Sequence, residues 1–485
     1  MDQPRHQRQL LADLAEQVMR ERGLTPDFPA DVLRQLADIH AIDNSPGIAD
    51  LTILPWCSID NDDSRDLDQL TVIEALPGGS TRLHVAVADV DALVPKDSPI
   101  DRYAAHNTTS VYTPARIFPM LPEKLSTDLT SLNPGQMRLA MVTSIDHDAE
   151  GVAGKVALRR ARVHSKAKLA YDSIAAWLEN DAPLPAVAAA VAGLDQQLRN
   201  QDALAQRLRE RRRELGALEF QTLQPKATFA GDDVANLEQQ EQNRARQLIE
   251  EFMIATNGAV ARFLDDQHRA TIQRVVRSPE RWTRIRDVVG EYGETLPPES
   301  DGAALQRFLA QQRVRDPVRF PDLSLTLIKL MGAGEYEVHR PGSRDVGHFG
   351  LAVSGYSHST APNRRFPDLV TSRLVKAALA GAASPYAVEE LAEIAEHCTR
   401  QEDAANKVER QIRKSAAAML LSGRVGERFD AVVTGVSKGN TWVRIFRPPA
   451  EGMLRGARGQ RVGKKMRVRL VDTNVERGFI DFEPG

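Results

Sequence analysis

The sequence predicts a multidomain α+β protein, and three observations support that prediction. The chain has 485 residues, which is more than one ordinary hydrophobic core accommodates. Helical periodicity dominates residues 5–42 and the middle of the chain, whereas residues 51–94 and the residues after Gly423 alternate as strands do. We therefore expect a helical unit in residues 1–48, a mixed α+β domain in residues 49–420 and a small β-barrel in residues 424–485.

The helical unit consists of two predicted helices joined by a turn at Gly23 and followed by a linker at Asn44, Pro46 and Gly47. Apolar residues recur at helical spacing in both helices: Leu10, Leu11, Leu14 and Val18, then Val32, Leu33, Leu36 and Ile39. Such a pair either contacts nucleic acid as a helix-turn-helix or only packs against the rest of the chain. No side chain decides between these alternatives.

Three strands are predicted between Leu51 and Val94. They are the segments LTILPW, QLTVIEAL and RLHVAVADV, with a Pro-Gly-Gly turn at residues 77–79 between the last two. The segment that begins at Arg246 places its apolar residues on one stripe and predicts a core helix. After Gly423 the segments RFDAVVTGV, NTWVRIF, KKMRVRLVD and RGFIDFE have the spacing of a small β-barrel of OB type.

Composition excludes several classes of protein. No window approaches the roughly 18 consecutive apolar residues of a membrane helix, and the first residues carry no apolar signal core, so we expect a cytoplasmic protein. Cys57 and Cys398 stand outside any Cys/His cluster and predict buried thiols rather than disulfides or a zinc site. The net charge of −3 does not indicate nucleic-acid binding by itself.

Local charge clustering is therefore the relevant signal for a polyanion site. Residues 155–168 hold six Lys/Arg and no acid, and the segment from Arg424 to Gly485 has 13 Lys/Arg against seven Asp/Glu. A solvated basic face explains each stretch as well as phosphate binding does.

Five aspartates lie within nine residues between two predicted strands: Asp60, Asp62, Asp63, Asp66 and Asp68. Carboxylates this close raise one another's pKa values unless a cation neutralises them, and oxygen ligands suit Mg²⁺ or Mn²⁺. A calcium loop of EF-hand type is excluded because Arg65 and Thr71 occupy its glycine and glutamate positions. Taken alone, such aspartates more often form turns and accept hydrogen bonds.

An arginine pair precedes a predicted helix near residue 366. Pro367 and Asp368 are typical of a first helical turn, so Arg364 and Arg365 lie just ahead of a helix N-terminus. Two guanidiniums beside unpaired backbone N–H groups form a phosphate clamp. The alternative is an ordinary surface ion pair.

Several long motifs, in this order, resemble the catalytic domain of the ribonuclease II (RNB) family. They are the Asp60 segment, LHVAVADVDALVPKDSPID, SVYTPARIFPMLPEKLSTDLTSLNPGQMRLA and GYSHSTAPNRRFPDL. The resemblance covers about residues 50–420, and the segment after residue 424 looks like the OB-fold (S1-type) RNA-binding domain that follows it. It implies a Mg²⁺-dependent, monomeric hydrolase that degrades single-stranded RNA processively from 3′ to 5′ into nucleoside 5′-monophosphates, with Mn²⁺ as an alternative metal.

The resemblance also implies roles for individual residues. The implied catalytic residues are Asp60, Asp66, Asp68, Arg364 and Glu409, and the three aspartates among them hold the metal. The implied RNA-binding residues are Tyr112, on which a base stacks, Arg364, Arg365 and Trp442.

The chain departs from the family pattern at several positions. Gln69 stands where the family has the second of two adjacent aspartates, so either the metal binds more weakly or Asp62 or Asp63 substitutes. Asn363 stands where isoleucine is common, which we expect to change packing more than charge. The N-terminal helices stand where relatives carry two cold-shock-type barrels. These departures leave two alternatives: an RNA-binding protein that keeps the fold without catalysis, and a metal-dependent DNA nuclease.

Overall fold

The computed structural model of the protein describes residues 6–41, 47–221, 225–239, 242–437, 439–457 and 459–485. The predicted linker residues Asn44 and Pro46 lie outside the described residues. The helices are α1 (Gln7–Glu21), α2 (Ala30–Ala37), α3 (Pro99–Asn107), α4 (Tyr171–Leu178), α5 (Ala186–Ala189), α6 (Leu194–Glu214), α7 (Arg244–Asp266), α8 (Trp282–Gly290), α9 (Gly302–Arg315), α10 (Phe320–Met331), α11 (Phe366–Leu379) and α12 (Val388–Leu421).

The strands lie mainly in the first third and the last sixth of the chain. They are β1 (Ala49–Asp50), β2 (Cys57–Asp60), β3 (Gln69–Ala75), β4 (Thr81–Ala88), β5 (Val111–Tyr112), β6 (Ile117–Phe118), β7 (Met137–His147), β8 (Ala153–His164), β9 (Ala167–Ala170), β10 (Pro225–Ala230), β11 (Asp233–Gln239), β12 (Thr271–Val275), β13 (Glu335–His339), β14 (Arg428–Ser437), β15 (Asn440–Ile445), β16 (Glu451–Leu454), β17 (Lys465–Asn474) and β18 (Phe479–Pro484).

Within the described residues the main sheet has seven strands in the order β1-β8-β7-β4-β3-β2-β9. The strands β2, β3, β4, β7 and β8 pair antiparallel, which confirms the predicted meander for QLTVIEAL and RLHVAVADV. The predicted strand LTILPW is wrong. Leu54 N and Trp56 Nε1 both donate to Leu51 O, which folds this segment into a turn, and the strand begins only at Cys57.

Alternation along the central strands buries both faces of the sheet. Leu70 and Val72 face a core shared with α11, whereas Ile73 faces the core under α6 and α7. Leu248 and Phe252 on α7 are fully buried in that second core, which confirms the predicted core helix. The layered packing holds the end of β2 and the start of β3 rigidly at one edge of the domain.

The C-terminal strands form a closed barrel in the order β14-β15-β16-β18-β17, which confirms the predicted OB-type barrel. Its interior is filled by Val433, Val443, Leu470 and Phe482. The short strand β16 was not predicted. A Cβ at its Gly452 would lie 2.5 Å from Ile480 O, so the strand passes too close to β18 for any other residue.

The N-terminal helices pack against the rest of the chain. In α1, Leu11, Ala15, Val18 and Met19 are buried in a core that includes residues of α12. The turn that follows is fixed by Asn107, which donates to Thr25 O and accepts from Thr25 N. In the described part of the chain, helices long and apolar enough to cross a membrane are absent.

Candidate active site

The carboxylate loop, residues 60–68, connects β2 to β3 and is tied down at several points. Lys168 Nζ donates to the carbonyl oxygens of Asp62 at 2.8 Å and Ser64 at 2.6 Å. Ser131 Oγ donates to Arg65 O at 2.9 Å and accepts from Leu67 N at 3.0 Å. Because the backbone is held from β9 and from the Ser131 loop, the aspartate side chains have defined directions.

The arginine pair occupies the N-terminus of α11, as predicted. Asp368 is fully buried and accepts from Thr360 N and Ala361 N, both at 2.8 Å, and from Arg365 Nη2 at 2.7 Å. Arg365 is therefore held by a carboxylate of its own helix. The predicted phosphate clamp divides into one structural arginine, Arg365, and one arginine that points to the carboxylate loop, Arg364.

Arg364 contacts the carboxylate loop at Asp68. Arg364 Nε lies 3.1 Å from Asp68 Oδ2, and Asn363 N donates to Asp68 Oδ1 at 3.2 Å. The Asp68 side chain is 8% exposed, whereas Arg364 is 41% exposed and reaches solvent. The structure thus brings together the two motifs that the sequence analysis singled out separately.

Tyr112 and Glu409 complete the same site. The Tyr112 hydroxyl donates to Asp66 Oδ2 at 3.1 Å, and Tyr112 N donates to Glu409 Oε1 at 2.9 Å. Glu409 belongs to α12, so this helix fixes the backbone of Tyr112. The Tyr112 hydroxyl in turn fixes the Asp66 carboxylate. The site thus contains two hydrogen-bonded pairs of side chains, Asp66 with Tyr112 and Asp68 with Arg364.

Burial and mutual repulsion shift the ionisation of these groups. Burial raises the pKa of Asp68 to about 7, Arg364 opposes the shift and Asp66 adds to it. Burial also raises the pKa of Asp60, and Asp66 contributes to that shift as well. The pKa values of Tyr112 and Glu409 are raised mainly by burial. Asp66 is therefore close enough to Asp60 and to Asp68 to disfavour the charged form of each.

The donor set fits a hard divalent cation by chemistry. Among the described residues, Asp60 Oδ2 and Asp66 Oδ1 accept no hydrogen bond, and the buried Gln69 Oε1 has no partner. Oxygen donors of this kind suit Mg²⁺ or Mn²⁺. No three acidic, histidine or cysteine side chains in the described part of the chain converge at ligand distance, and Arg364 is the positive charge that Asp68 contacts.

Asp62 and Asp63 do not join the carboxylates of the site. Both are exposed, and Asp63 Oδ2 lies 3.0 Å from Lys226 Nζ on β10. Trp442 lies on β15 of the barrel, where its half-buried ring faces Gly435 in β14. Trp442 is not among the residues that line the cavity over the carboxylate loop.

Some neighbours of the site carry no clear signal in the sequence. The Arg246 guanidinium lies 4.4 Å from the centre of the Tyr171 ring, and Arg246 Nη2 donates to Asn61 Oδ1 at 3.0 Å. Asn363 forms a buried hydrogen bond with Thr130 Oγ1 at 2.5 Å, so this departure changes hydrogen bonding as well as packing.

The basic stretch of residues 155–168 contributes internal ion pairs from two of its arginines. Arg160 lies 3.0 Å from Asp89, and Arg162 lies 2.7 Å from Asp50. These contacts support a structural explanation of the alternating basic face over a phosphate-binding one.

A groove of about 530 Å³ opens over Asp66 and Tyr112. Its walls include residues of the β5–β6 hairpin and of β10. Positive charge comes from Arg65, Arg116, Lys226 and Arg413. Asp63, Asp66 and Glu123 line the groove as well, and Lys226 is paired with Asp63. Basic side chains beside an aromatic residue are the groups that single-stranded nucleic acids contact.

Two protein-family models match the chain, one over the central domain and one over the C-terminal barrel. The family model of the RNB domain matches residues 48–381, and that of the RNase II-type exonuclease C-terminal S1 domain matches residues 427–485. Ribonuclease R of Vibrio cholerae is 30% identical in an alignment of 510 positions, which covers 96% of this chain and 60% of that protein. Ribonuclease R of Escherichia coli is 31% identical over 477 residues, which cover 90% and 57%. The chain thus spans about three fifths of the length of these curated relatives.

A solved structure shares the fold. Mycoplasma genitalium RNase R in complex with ribose methylated single-stranded RNA matches with a TM-score of 0.88 and 22% identity. The match covers 98% of this chain and 78% of that chain.

Proposed function

The chain belongs to the RNB domain family, and on that premise we propose that it hydrolyses single-stranded RNA from the 3′ end and releases nucleoside 5′-monophosphates. The observation that carries this proposal is the contact of Arg364 with Asp68, in the same loop as Asp66, which lines the groove. It joins the phosphate-binding motif and the carboxylate loop in one site. The names of the curated relatives and the RNA bound in the M. genitalium structure support the same substrate class.

Arg364 is the residue that we assign to the scissile phosphate. Its side chain is 41% exposed, while the contact with Asp68 fixes its Nε end. The remaining guanidinium N–H groups are available to form charge-assisted hydrogen bonds with phosphate oxygens. Binding of the phosphate would also stabilise the charge that develops on it during hydrolysis.

Asp60, Asp66 and Asp68 are the residues that we assign to a divalent cation, with Gln69 as a neutral fourth oxygen. When bound, Mg²⁺ or Mn²⁺ would neutralise phosphate charge and lower the pKa of the attacking water. The Tyr112 hydroxyl orients Asp66 by donating to Oδ2, which leaves Oδ1 for another contact. Glu409 acts on Tyr112 by accepting its backbone N–H, so we assign Glu409 a positioning role.

Tyr112 has a second proposed role because its ring lines the groove. Stacking on an aromatic face accepts any base, so it agrees with degradation that does not depend on sequence. Arg65, Arg116 and Arg413 would contact the phosphates of the incoming strand. Trp442 and the barrel would bind RNA farther from the site.

Polarity and substrate class can be tested in one experiment. A single-stranded RNA labelled at its 5′ end is incubated with the protein and Mg²⁺, beside a DNA of the same sequence. We expect a ladder that shortens from the 3′ end of the RNA, and intact DNA. In a parallel reaction, RNA labelled along its whole length should release a product that co-migrates with nucleoside 5′-monophosphate.

Two other outcomes would contradict the proposal. Intact RNA at saturating binding would support the alternative of an RNA-binding protein without catalysis, for which Gln69 is the specific observation. Equal degradation of the DNA would indicate a nuclease without preference for RNA.

A further inference from the structure

A second polar cavity, of about 420 Å³, lies apart from the carboxylate loop. It is enclosed by the last turns of α6, the end of α9, residues 217–221 and the first half of α7. The charged residues that line it are Arg209, Arg212, Arg213, Arg313, Glu219, Glu250 and Glu251. Its apolar lining includes Leu218, Phe220 and Leu351.

The arginines of this arginine cavity differ in how they are paired. Arg212 forms a closed pair with Glu251, whose side chain is only 4% exposed. Glu219 is shared by the other three arginines. Arg209 donates to its Oε1 at 2.6 Å, whereas Arg213 Nε and Arg313 Nη1 remain 3.6 Å and 3.7 Å from its Oε2.

These longer separations are ion pairs without a hydrogen bond. Arg213 Nε is buried and has no hydrogen-bond partner within the described part of the chain. Arg213 Nη1 donates to Glu210 Oε2 at 2.9 Å. Because a guanidinium carries five N–H donors, donor capacity remains on Arg213 Nε and on Arg313. An arginine cluster with unused donors is complementary to an anion with several oxygens.

A phosphate monoester offers several acceptor oxygens to such donors at once. It carries about −1.5 to −2 charges at pH 7 and three acceptor oxygens. Phe220 offers an aromatic ring at the wall of the cavity, and the volume is within the usual range for small-molecule sites. Burial, reinforced by Glu251, raises the pKa of Glu250, which accepts a hydrogen bond from Gln242. The Glu250 carboxyl therefore repels an anion less strongly than an exposed carboxylate would.

The arginine cavity also adjoins the surroundings of the catalytic loop. Gln242 lines it and also lines a cavity of about 1040 Å³ that reaches Asn61 and Asp63. The two cavities therefore lie on either side of Gln242.

We propose that the arginine cavity binds a nucleoside 5′-monophosphate, with the phosphate on Arg209, Arg213 and Arg313 and the base against Phe220. The choice of this ligand rests on the proposed function, because that reaction releases it. The site is separate from the one at Arg364, so product bound there need not block the entry of RNA.

Calorimetric titration of the full chain, without RNA or divalent metal, tests the proposal. The ligands are AMP, inorganic phosphate and adenosine. We expect AMP to bind, phosphate to bind more weakly and adenosine not to bind. Phosphate binding as tight as AMP binding would overturn the assignment of the base to Phe220 and leave an oxyanion site only.

Variants locate the bound AMP. The Arg213→Gln/Arg313→Gln protein should bind AMP about tenfold more weakly or worse, whereas Arg315→Gln, an exposed arginine on the same helix as Arg313, should bind it normally. Arg364→Gln should keep AMP binding, since it alters only the proposed catalytic site. Arg313→Gln alone, on a half-exposed side chain, gives a second variant if the double variant does not fold.

Two results would overturn the proposal: absence of AMP binding to the wild-type protein, or binding that survives in the double variant and disappears in Arg364→Gln. The titration needs no catalysis. A protein that binds AMP in the arginine cavity but leaves RNA intact would keep this inference and refute the proposed function.

Discussion

At the scale of single residues, the site depends on side chains that have two contacts each. Tyr112 holds Asp66 through its hydroxyl and faces the groove with its ring. Arg364 contacts Asp68 at one end and solvent at the other. Each of these residues can be tested by a substitution that removes one contact and keeps the second.

At Tyr112, the contact of the ring and the contact of the hydroxyl can be removed separately. Because a stacked base contributes about 1–3 kcal/mol, Tyr112→Ala should raise the Kd for single-stranded RNA by roughly 5- to 100-fold. Tyr112→Phe keeps the ring and should change the Kd by less than about threefold. Fluorescence anisotropy with a labelled RNA in EDTA measures both. Equal affinities of the two variants would contradict the stacking role.

Burial of His147 gives a prediction about pH. Burial lowers the pKa of this histidine to about 4 from its usual 6.5. Between these two pH values the unfolded chain binds a proton that the folded chain does not, so the free energy of unfolding must fall as the pH drops from about 6.5 to about 4. One pKa unit corresponds to about 1.4 kcal/mol, so His147 accounts for at most about 3.5 kcal/mol of the loss.

Urea unfolding at several pH values measures this dependence. His147→Gln should lose less stability on acidification than the wild type, whereas His40→Gln, at an exposed histidine, should follow the wild type. If both variants follow the wild-type curve, another group is responsible for the acid sensitivity.

At the scale of elements, α1 and α11 support the site in different ways. Helix α1 packs on α12, the helix that carries Glu409, and α11 presents Arg364 at its N-terminus. Both contributions depend on buried contacts that the substitutions below remove.

The packing of α1 can be tested with two neighbouring leucines. Leu11 is fully buried and Leu10 is 38% exposed. Leu11→Ala should lower the free energy of unfolding by about 2–5 kcal/mol, because it leaves a cavity. Leu10→Ala should change it by less than about 0.5 kcal/mol. Equal small effects would mean that α1 is not part of the folded core.

The N-terminus of α11 depends on Asp368. Asp368→Ala removes the partner of Arg365 and the acceptor of two backbone N–H groups, all of them buried. We expect a loss of about 3–5 kcal/mol in chemical denaturation, as for other broken buried pairs. Asp403→Ala, in an exposed pair with Lys407, should cost less than about 1 kcal/mol. A loss at Asp368 no larger than at Asp403 would contradict this account of the helix terminus.

Elements were predictable where local pattern and packing agree. The strands β3 and β4, helix α7 and the N-terminus of α11 follow from alternation, periodicity and the Pro-Asp start. The strand predicted for LTILPW was wrong because this apolar segment forms a turn around Leu51. The strand β16 has only four residues, and its pairing with β18 is a long-range contact that a local pattern does not contain.

At the scale of the whole molecule, the fold joins residues that are far apart in sequence. Asp68 and Arg364 are 296 positions apart, and Tyr112 and Glu409 are 297 apart. Spacing could not predict these contacts. The order of the motifs could, through the family resemblance, and the matches to the RNB and S1 models confirm that resemblance.

Some contacts of the site could be predicted neither from the spacing of residues nor from the order of the motifs. The exposure of Asp63 and its contact with Lys226 depend on where the β10–β11 hairpin folds. The unequal roles of Arg364 and Arg365 depend on which of them Asp368 faces. The roles of the individual residues in catalysis, and that of Gln69 above all, stay predictions.

The central claim is that the carboxylate loop and Arg364 together hydrolyse RNA from its 3′ end. Its most direct measurement is the rate of 3′ shortening of a 5′-labelled single-stranded RNA in Mg²⁺, under single-turnover conditions, for Asp68→Asn and Asp62→Asn. Asp68 is buried against Arg364, whereas Asp62 is an exposed aspartate of the same loop. Far-UV circular dichroism melting confirms that both variants are folded.

We expect Asp62→Asn to shorten the RNA at a rate close to wild type and Asp68→Asn to be slower by about 100-fold or more, as when a charge-stabilising group is removed from an active site. An Asp68→Asn protein that degrades RNA as fast as the wild type would contradict the assignment of the active site.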